Sequence, residues 1–104
     1  MSYLSASKLT FSPKWADMSD DDRLVEQVAA VGIVGKFGGE IKSQHVLWSD
    51  NALLAITEYP DEVSAMKSQL AIQRRGAFVL SSQRAVPLDD LLSWQDEVNA
   101  AAGR

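Results

Sequence analysis

The sequence predicts a small α+β domain in which a four-stranded antiparallel sheet is covered by helices on one side. Three observations carry the prediction. The stretch from Gly38 to Pro60, GGEIKSQHVLWSDNALLAITEYP, has the pattern of a β-hairpin; helix-start signals stand on both sides of it, at Ser19–Asp22 and at Pro60–Glu62; and an alternating segment lies outside each helix, at Tyr3–Thr10 and Ala77–Pro87.

A chain of 104 residues has room for one domain with one core. Its hydrophobic share of 46% and charged share of 23% suit a globular protein and indicate neither the disordered nor the membrane class. The net charge of −4 argues against a nucleic-acid partner, since neutralising phosphates takes a surplus of Lys and Arg on one face. No cysteine is present, so disulfides, thiolate catalysis and Cys-ligated zinc are excluded, and the single His cannot build a polyhistidine metal site within one chain. No metal and no cofactor are therefore expected. MSYLSASK has no basic region followed by an apolar one, and no run approaches the roughly 18 apolar residues of a spanning helix. The expectation is a cytoplasmic protein without a membrane partner.

In the first strand, Leu4, Ala6, Lys8 and Thr10 alternate with Tyr3, Ser5, Ser7 and Leu9. Pro13 breaks the pattern, and Ser12–Met18 is expected to be a loop whose Trp15 folds back on the body or meets a partner. Ser19 followed by Asp20, Asp21 and Asp22 starts a helix, because the hydroxyl caps free N–H groups and the carboxylates favour the positive end of the dipole. The run lacks the spaced ligands and turn glycine of a calcium loop. Leu24, Val25, Val28, Ala29, Val31 and Gly32 follow helical spacing to a stop between Gly35 and Gly39. These glycines close a helix and precede a strand, the reverse of a phosphate-cradling loop.

The hairpin is expected to pair Glu40–Ser49 with Ala52–Tyr59 through a two-residue turn at Asp50–Asn51, placing Trp48 opposite Leu53 and His45 opposite Ile56. Ile41, Ser43, His45, Leu47, Leu54, Ile56 and Glu58 then share one face; Lys42, Gln44, Val46, Trp48, Leu53, Ala55, Thr57 and Tyr59 share the other. The run Leu53–Ile56 is apolar on both faces, which suits a central strand covered on two sides. Helices cover one side only. A second subunit is the natural cover for the other.

Pro60, Asp61 and Glu62 open a second helix with Val63, Met66 and Leu70 as its expected inward stripe, and Arg74 and Arg75 complement its C-terminal end before Gly76. Ala77–Pro87 reads as the last strand, with Phe78, Leu80, Ser82, Arg84 and Val86 on one face. Asp89 and Asp90 start a final helix with Leu88, Leu91, Leu92, Gln95 and Val98 on one side. The order βαββαβ plus a C-terminal helix is the split βαβ arrangement of ferredoxin-like folds, with the first and third strands central.

GGEIKS at Gly38–Ser43 and LLAITEYPDE at Leu53–Glu62 resemble the GYD-domain family, and more broadly the dimeric α/β-barrel proteins, over Tyr3 to about Leu91. The family's Gly, Tyr, Asp signature would fall at the hairpin tip, where this sequence has Ser49, Asn51 and Ala52, so no role is carried over there. The resemblance implies a dimer in which two sheets face each other through the sides without helices, with a pocket between each sheet and its surrounding loops.

His45 is the only side chain with an ordinary pKa near neutrality, and in the expected register it lies diagonally across from Glu58; a carboxylate there could orient the imidazole as a general base. Packing on an edge strand is the plainer reading, since no second acid, nucleophile or metal ligand accompanies the pair. Trp48, Tyr59 and Thr57 could line an apolar pocket or serve as packing, and Lys8 and Arg84 could receive an anion or remain solvated. The serines of SYLSAS and LSSQ lack a nucleophile elbow and read as polar filling. The expected role is that of a homodimer, or a higher homo-oligomer, binding a small molecule or a partner. The competing class is a cofactor-independent enzyme acting on a small, partly apolar metabolite through His45 and Glu58. A third is an interaction module using Trp15 and Trp94.

Overall fold

In the computed structural model, which describes residues 2–103, the chain runs β1 (Tyr3–Phe11), α1 (Pro13–Ala16), α2 (Asp20–Lys36), β2 (Glu40–Leu47), a 3-10 turn (Trp48–Asp50), β3 (Ala52–Tyr59), α3 (Glu62–Arg74), β4 (Phe78–Arg84) and α4 (Leu88–Ala101). The sheet order is β2-β3-β1-β4, with every neighbouring pair antiparallel. This is the ferredoxin-like α+β arrangement with β1 and β3 central. Among the described residues no helix is long and apolar enough to cross a membrane.

Both long helices of the layer start where their capping residues dictate. Ser19 Oγ accepts the Asp22 N–H at 3.1 Å and Asp61 Oδ1 accepts the Ser64 N–H at 2.7 Å, each satisfying a donor that has no partner within the helix. The Gly38–Gly39 pair ends α2 for two different reasons. Gly38 sits at φ +78°, where L side chains are strained, whereas a Cβ on Gly39 would stand 2.6 Å from Val34 Cγ1 and 2.7 Å from Tyr59 Cε1. The pair thus lets the helix end pass directly over the core.

That core gathers Leu9, Val34, Tyr59, Ala65, Ile72, Ala77 and Phe78 between the sheet and helices α2 and α3. At one end the Trp15 ring stacks on Phe11 with centroids 4.5 Å apart and lies 5.2 Å from Phe78. The Ser12–Met18 segment is therefore not a loop but a one-turn helix. Pro13 stands at its first position, and its end is fastened by Arg23, whose Nε donates to the Trp15 carbonyl at 3.1 Å while the guanidinium lies 5.7 Å from the Trp15 ring.

The hairpin departs from expectation in its turn. A 3-10 turn followed by Asn51 at φ +50° replaces the two-residue turn, and β2 ends at Leu47 rather than Ser49. The register moves by two residues, so His45 faces Leu54 and Val46 faces Leu53. An even shift preserves the faces, because side chains alternate with a period of two. A bulge between Ile41 and Ser43 then transfers Ile41 to the helix side.

The helix stripes depart further. On α3 the buried residues are Ala65, Ser68 and Ile72, while Val63, Met66 and Leu70 point outward and are more than half exposed. Ala65 and Ser68 are short enough to let the first turns of the helix approach the sheet closely, and the Tyr59 hydroxyl donates to Ser68 Oγ at 2.9 Å across that gap. On α2 only Val34 is fully buried; Leu24, Val25, Val28 and Val31 are largely exposed. Arg75, at the C-terminal end of α3, also grips Glu26 of α2 through two hydrogen bonds of 2.9 and 3.0 Å.

Candidate functional site

Between the helix side of the sheet and the underside of α2 and α3 lies a cavity of about 300 Å³. Its origin is in side-chain size. The sheet contributes Ser7, Ala55 and Thr57 where α2 contributes Ala30 and Val34, so short side chains meet short ones and space is left between the layers. Gln27 and Val31 on α2, and Gln44 and Val46 on β2, line the cavity and are also exposed, so the opening lies between α2 and the edge strand.

The cavity wall is mostly apolar, with Leu9, Leu53, Ile72, Phe78 and Leu80 prominent in it. Behind the floor runs a thread of side-chain hydrogen bonds: Gln69 Nε2 donates to Ser5 Oγ at 3.2 Å, Ser5 and Ser7 share a bond of 3.2 Å, and Ser7 shares one of 2.7 Å with Ser82. Ser5 is fully buried, and among the described residues no buried side-chain polar atom lacks a partner. Hydroxyls can both donate and accept, so the thread can reorient to meet either kind of group on a bound molecule.

Among the described residues, no Asp, Glu, Lys or Arg lines the cavity, and Tyr59 is the only titratable side chain that the strand alternation directs toward it. Burial pushes the Tyr59 phenol above its ordinary pKa, partly offset by its bond to Ser68. Tyr59 therefore stays neutral, and a desolvated anion or cation would find no countercharge inside.

The residues singled out in the sequence are distributed differently from one another. His45 borders the cavity on β2 and is exposed, but it stands opposite Leu54, so its side chain lies on the helix-free face of the sheet. Glu58 faces Glu40 on one side and Leu4 on the other, four residues along β3 from Leu54, or about 13 Å at strand spacing. The pair is not brought together. Trp48 is 92% exposed in the 3-10 turn and does not line this cavity, whereas Tyr59 and Thr57 do.

Lys8 projects from the helix-free face of the sheet and forms an ion pair with Asp50 at 2.9 Å. Arg84, opposite Ser5, projects from the other face, its guanidinium 5.6 Å from the Tyr3 ring. The two cations do not converge on one anion. What sequence reasoning missed is the Ser5–Ser7–Ser82 thread. Its signal was there: Ser5 and Ser7 alternate onto the same face as Leu9, and hydroxyls on an inward face mark a polar patch within the core.

The model of the GYD domain matches residues 3–94, nearly the whole chain. None of the curated proteins compared with this sequence matches it. Among solved structures, the chain is similar to a mutant chlorite dismutase from Candidatus Nitrospira defluvii, with a TM-score of 0.60 and 12% identity over 82% of this chain and 40% of that one. It is also similar to 30S ribosomal protein S6 from Thermotoga maritima, with a TM-score of 0.61 and 11% identity over 95% of this chain and 99% of that one. The chain thus spans about two-fifths of the dismutase. At such identities these likenesses speak for the fold alone.

Proposed function

We propose that this chain, which belongs to the GYD-domain family, binds a small, uncharged and predominantly apolar molecule in the cavity between its sheet and helices α2 and α3. The observation that carries the reading is the character of the cavity: about 300 Å³, apolar walls, one hydrogen-bonding end and no acid–base pair. Its volume is at the lower end of the range of small-molecule sites. A planar molecule with a single hydroxyl or carbonyl matches this chemistry, the ring against Leu53, Leu80 and Phe78 and the polar group toward Ser7.

The helix-free face of the sheet carries Leu4, Ala6, Leu54 and Ile56 side by side, an apolar surface that a second sheet would cover. A homodimer closed over this face is part of the same reading, and light scattering at micromolar concentration tests it by the mass it returns. The competing enzyme class has only His45, which borders the cavity on β2 while its imidazole shares the helix-free face with Leu54. Glu58 lies too far along the strand to orient it, so His45 would have to act with water alone. For any turnover found, an unchanged rate in the His45→Ala protein excludes that class.

Calorimetric titration with 2-naphthol, an apolar ring bearing one hydroxyl, tests the binding reading. Saturable binding with a negative heat-capacity change is expected. In the Ala55→Leu protein the added branched side chain occupies the cavity, and binding is lost. Equal binding by both proteins would place the ligand elsewhere.

A further inference from the structure

Helix α4 is exposed along its whole length, although it carries the stripe Leu88, Leu91, Leu92, Val98 with Trp94 beside it. The three residues Ala85–Pro87 lead it away from the sheet, and the radius of gyration, 16.5 Å, exceeds the roughly 13 Å of a compact chain of this length. A helix of 14 residues is marginal in water without packing. Its apolar stripe needs a cover that its own chain does not supply.

The charges on α4 identify the cover. Asp89, Asp90, Asp96 and Glu97 are its charged residues, so this one helix holds four of the chain's 14 acidic residues and none of its 10 Lys and Arg. On a helical wheel, Asp89 and Asp96 flank the apolar stripe on one side, Asp90 and Glu97 on the other. The outer face of α3 is the counterpart: Val63, Met66 and Leu70 form an exposed apolar stripe, with Lys67 and Arg74 along one flank. Among the described residues neither cation has an ion-pair partner. Each acidic pair on α4 and the basic pair on α3 are spaced by seven residues, two turns or about 10.5 Å. Two helices lying side by side would bring both charges of one pair against both of the other.

We infer that α4 of one chain packs along the outer face of α3 in a second copy of the same chain, apolar stripe on apolar stripe, with an acidic pair of α4 against Lys67 and Arg74. The partner is a second copy because the chain itself carries both complementary surfaces, and reciprocal exchange buries two such contacts around one twofold axis. This inference rests on neither the cavity nor the pairing of sheet faces.

The absence of cysteine allows a direct test. Chains bearing Leu92→Cys and chains bearing Met66→Cys are mixed and oxidised; a disulfide between the two kinds of chain is expected to form well ahead of either like-with-like disulfide. Adding Lys67→Glu and Arg74→Glu to the Met66→Cys chain lowers its rate of formation about tenfold. Adding Asp96→Lys and Glu97→Lys, one on each flank, to the Leu92→Cys chain then raises it again. All these positions are exposed, and circular dichroism confirms that each variant is folded. A mixed disulfide no faster than that of a control chain bearing Asn51→Cys in place of Met66→Cys overturns the inference. So does a rate indifferent to the charge reversals, or closure within a single chain that carries both cysteines. Because no ligand enters the measurement, its failure leaves the cavity reading standing, and the reverse holds as well.

Discussion

Replacing Tyr59 by Phe tests how the helix layer is held to the sheet. Tyr59 and Ser68 are both buried, and their hydroxyls lie 2.9 Å apart. Removing the phenol oxygen leaves Ser68 Oγ without its donor inside the core, at a cost of about 1–2 kcal/mol, which lowers the melting temperature by about 4–8 °C per kcal/mol in a domain of this size. The double variant Tyr59→Phe/Ser68→Ala removes both partners and is expected to regain part of the loss, since no stranded polar group remains. There is also a pH signature. Burial raises the Tyr59 pKa in the folded chain, so the unfolded chain ionises first, and this residue's contribution is complete below the ordinary phenol pKa and disappears as pH rises through the folded value. Urea unfolding at neutral pH and at stepwise higher pH measures both effects. A double variant that loses the sum of the two single losses would refute the hydrogen-bond account, as would an alkaline limb unchanged in Tyr59→Phe.

Gly39→Ala drives a methyl group against Val34 and Tyr59 and is expected to cost about 1–3 kcal/mol, read as a lower denaturation midpoint at unchanged slope. The hydrogen bonds from Arg75, and its charge, hold the Glu26 carboxyl below its ordinary pKa, so this pair's stabilisation is complete above the ordinary glutamate value and is lost as pH falls through the folded one; Glu26→Gln should flatten that part of an acid-unfolding curve. Trp48→Ala, at a solvent-facing turn, should leave stability within about 0.5 kcal/mol of the parent in thermal unfolding.

The parts of the fold set by short-range chemistry were legible in the sequence. Ser19 and Asp61 mark their helix starts by side-chain capping alone, and the apolar run Leu53–Ile56 marks a central strand by its lack of alternation. What was not legible depended on the distance between layers. Val63, Met66 and Leu70 have the right spacing for an inward stripe, yet Ala65, Ser68 and Ile72 occupy it, because periodicity gives a face but not how closely that face approaches the sheet. The same limit hid the cavity. It is a product of short residues meeting across two layers, and Ser7, Ala55 and Ala30 are far apart in sequence. The His45–Glu58 diagonal depended on a register that the 3-10 turn displaced by two residues.

Mapping amide chemical shifts during a titration with 2-naphthol decides whether the cavity under α2 and α3 receives a small apolar molecule. Shifts are expected to concentrate at Ser7, Ala55, Thr57, Gln69 and Leu80, around the cavity wall, and to be lost in the Ala55→Leu protein. Shifts confined to α4 or to Leu4, Ala6, Leu54 and Ile56 on the helix-free face, with none at the cavity wall, would contradict binding in the cavity.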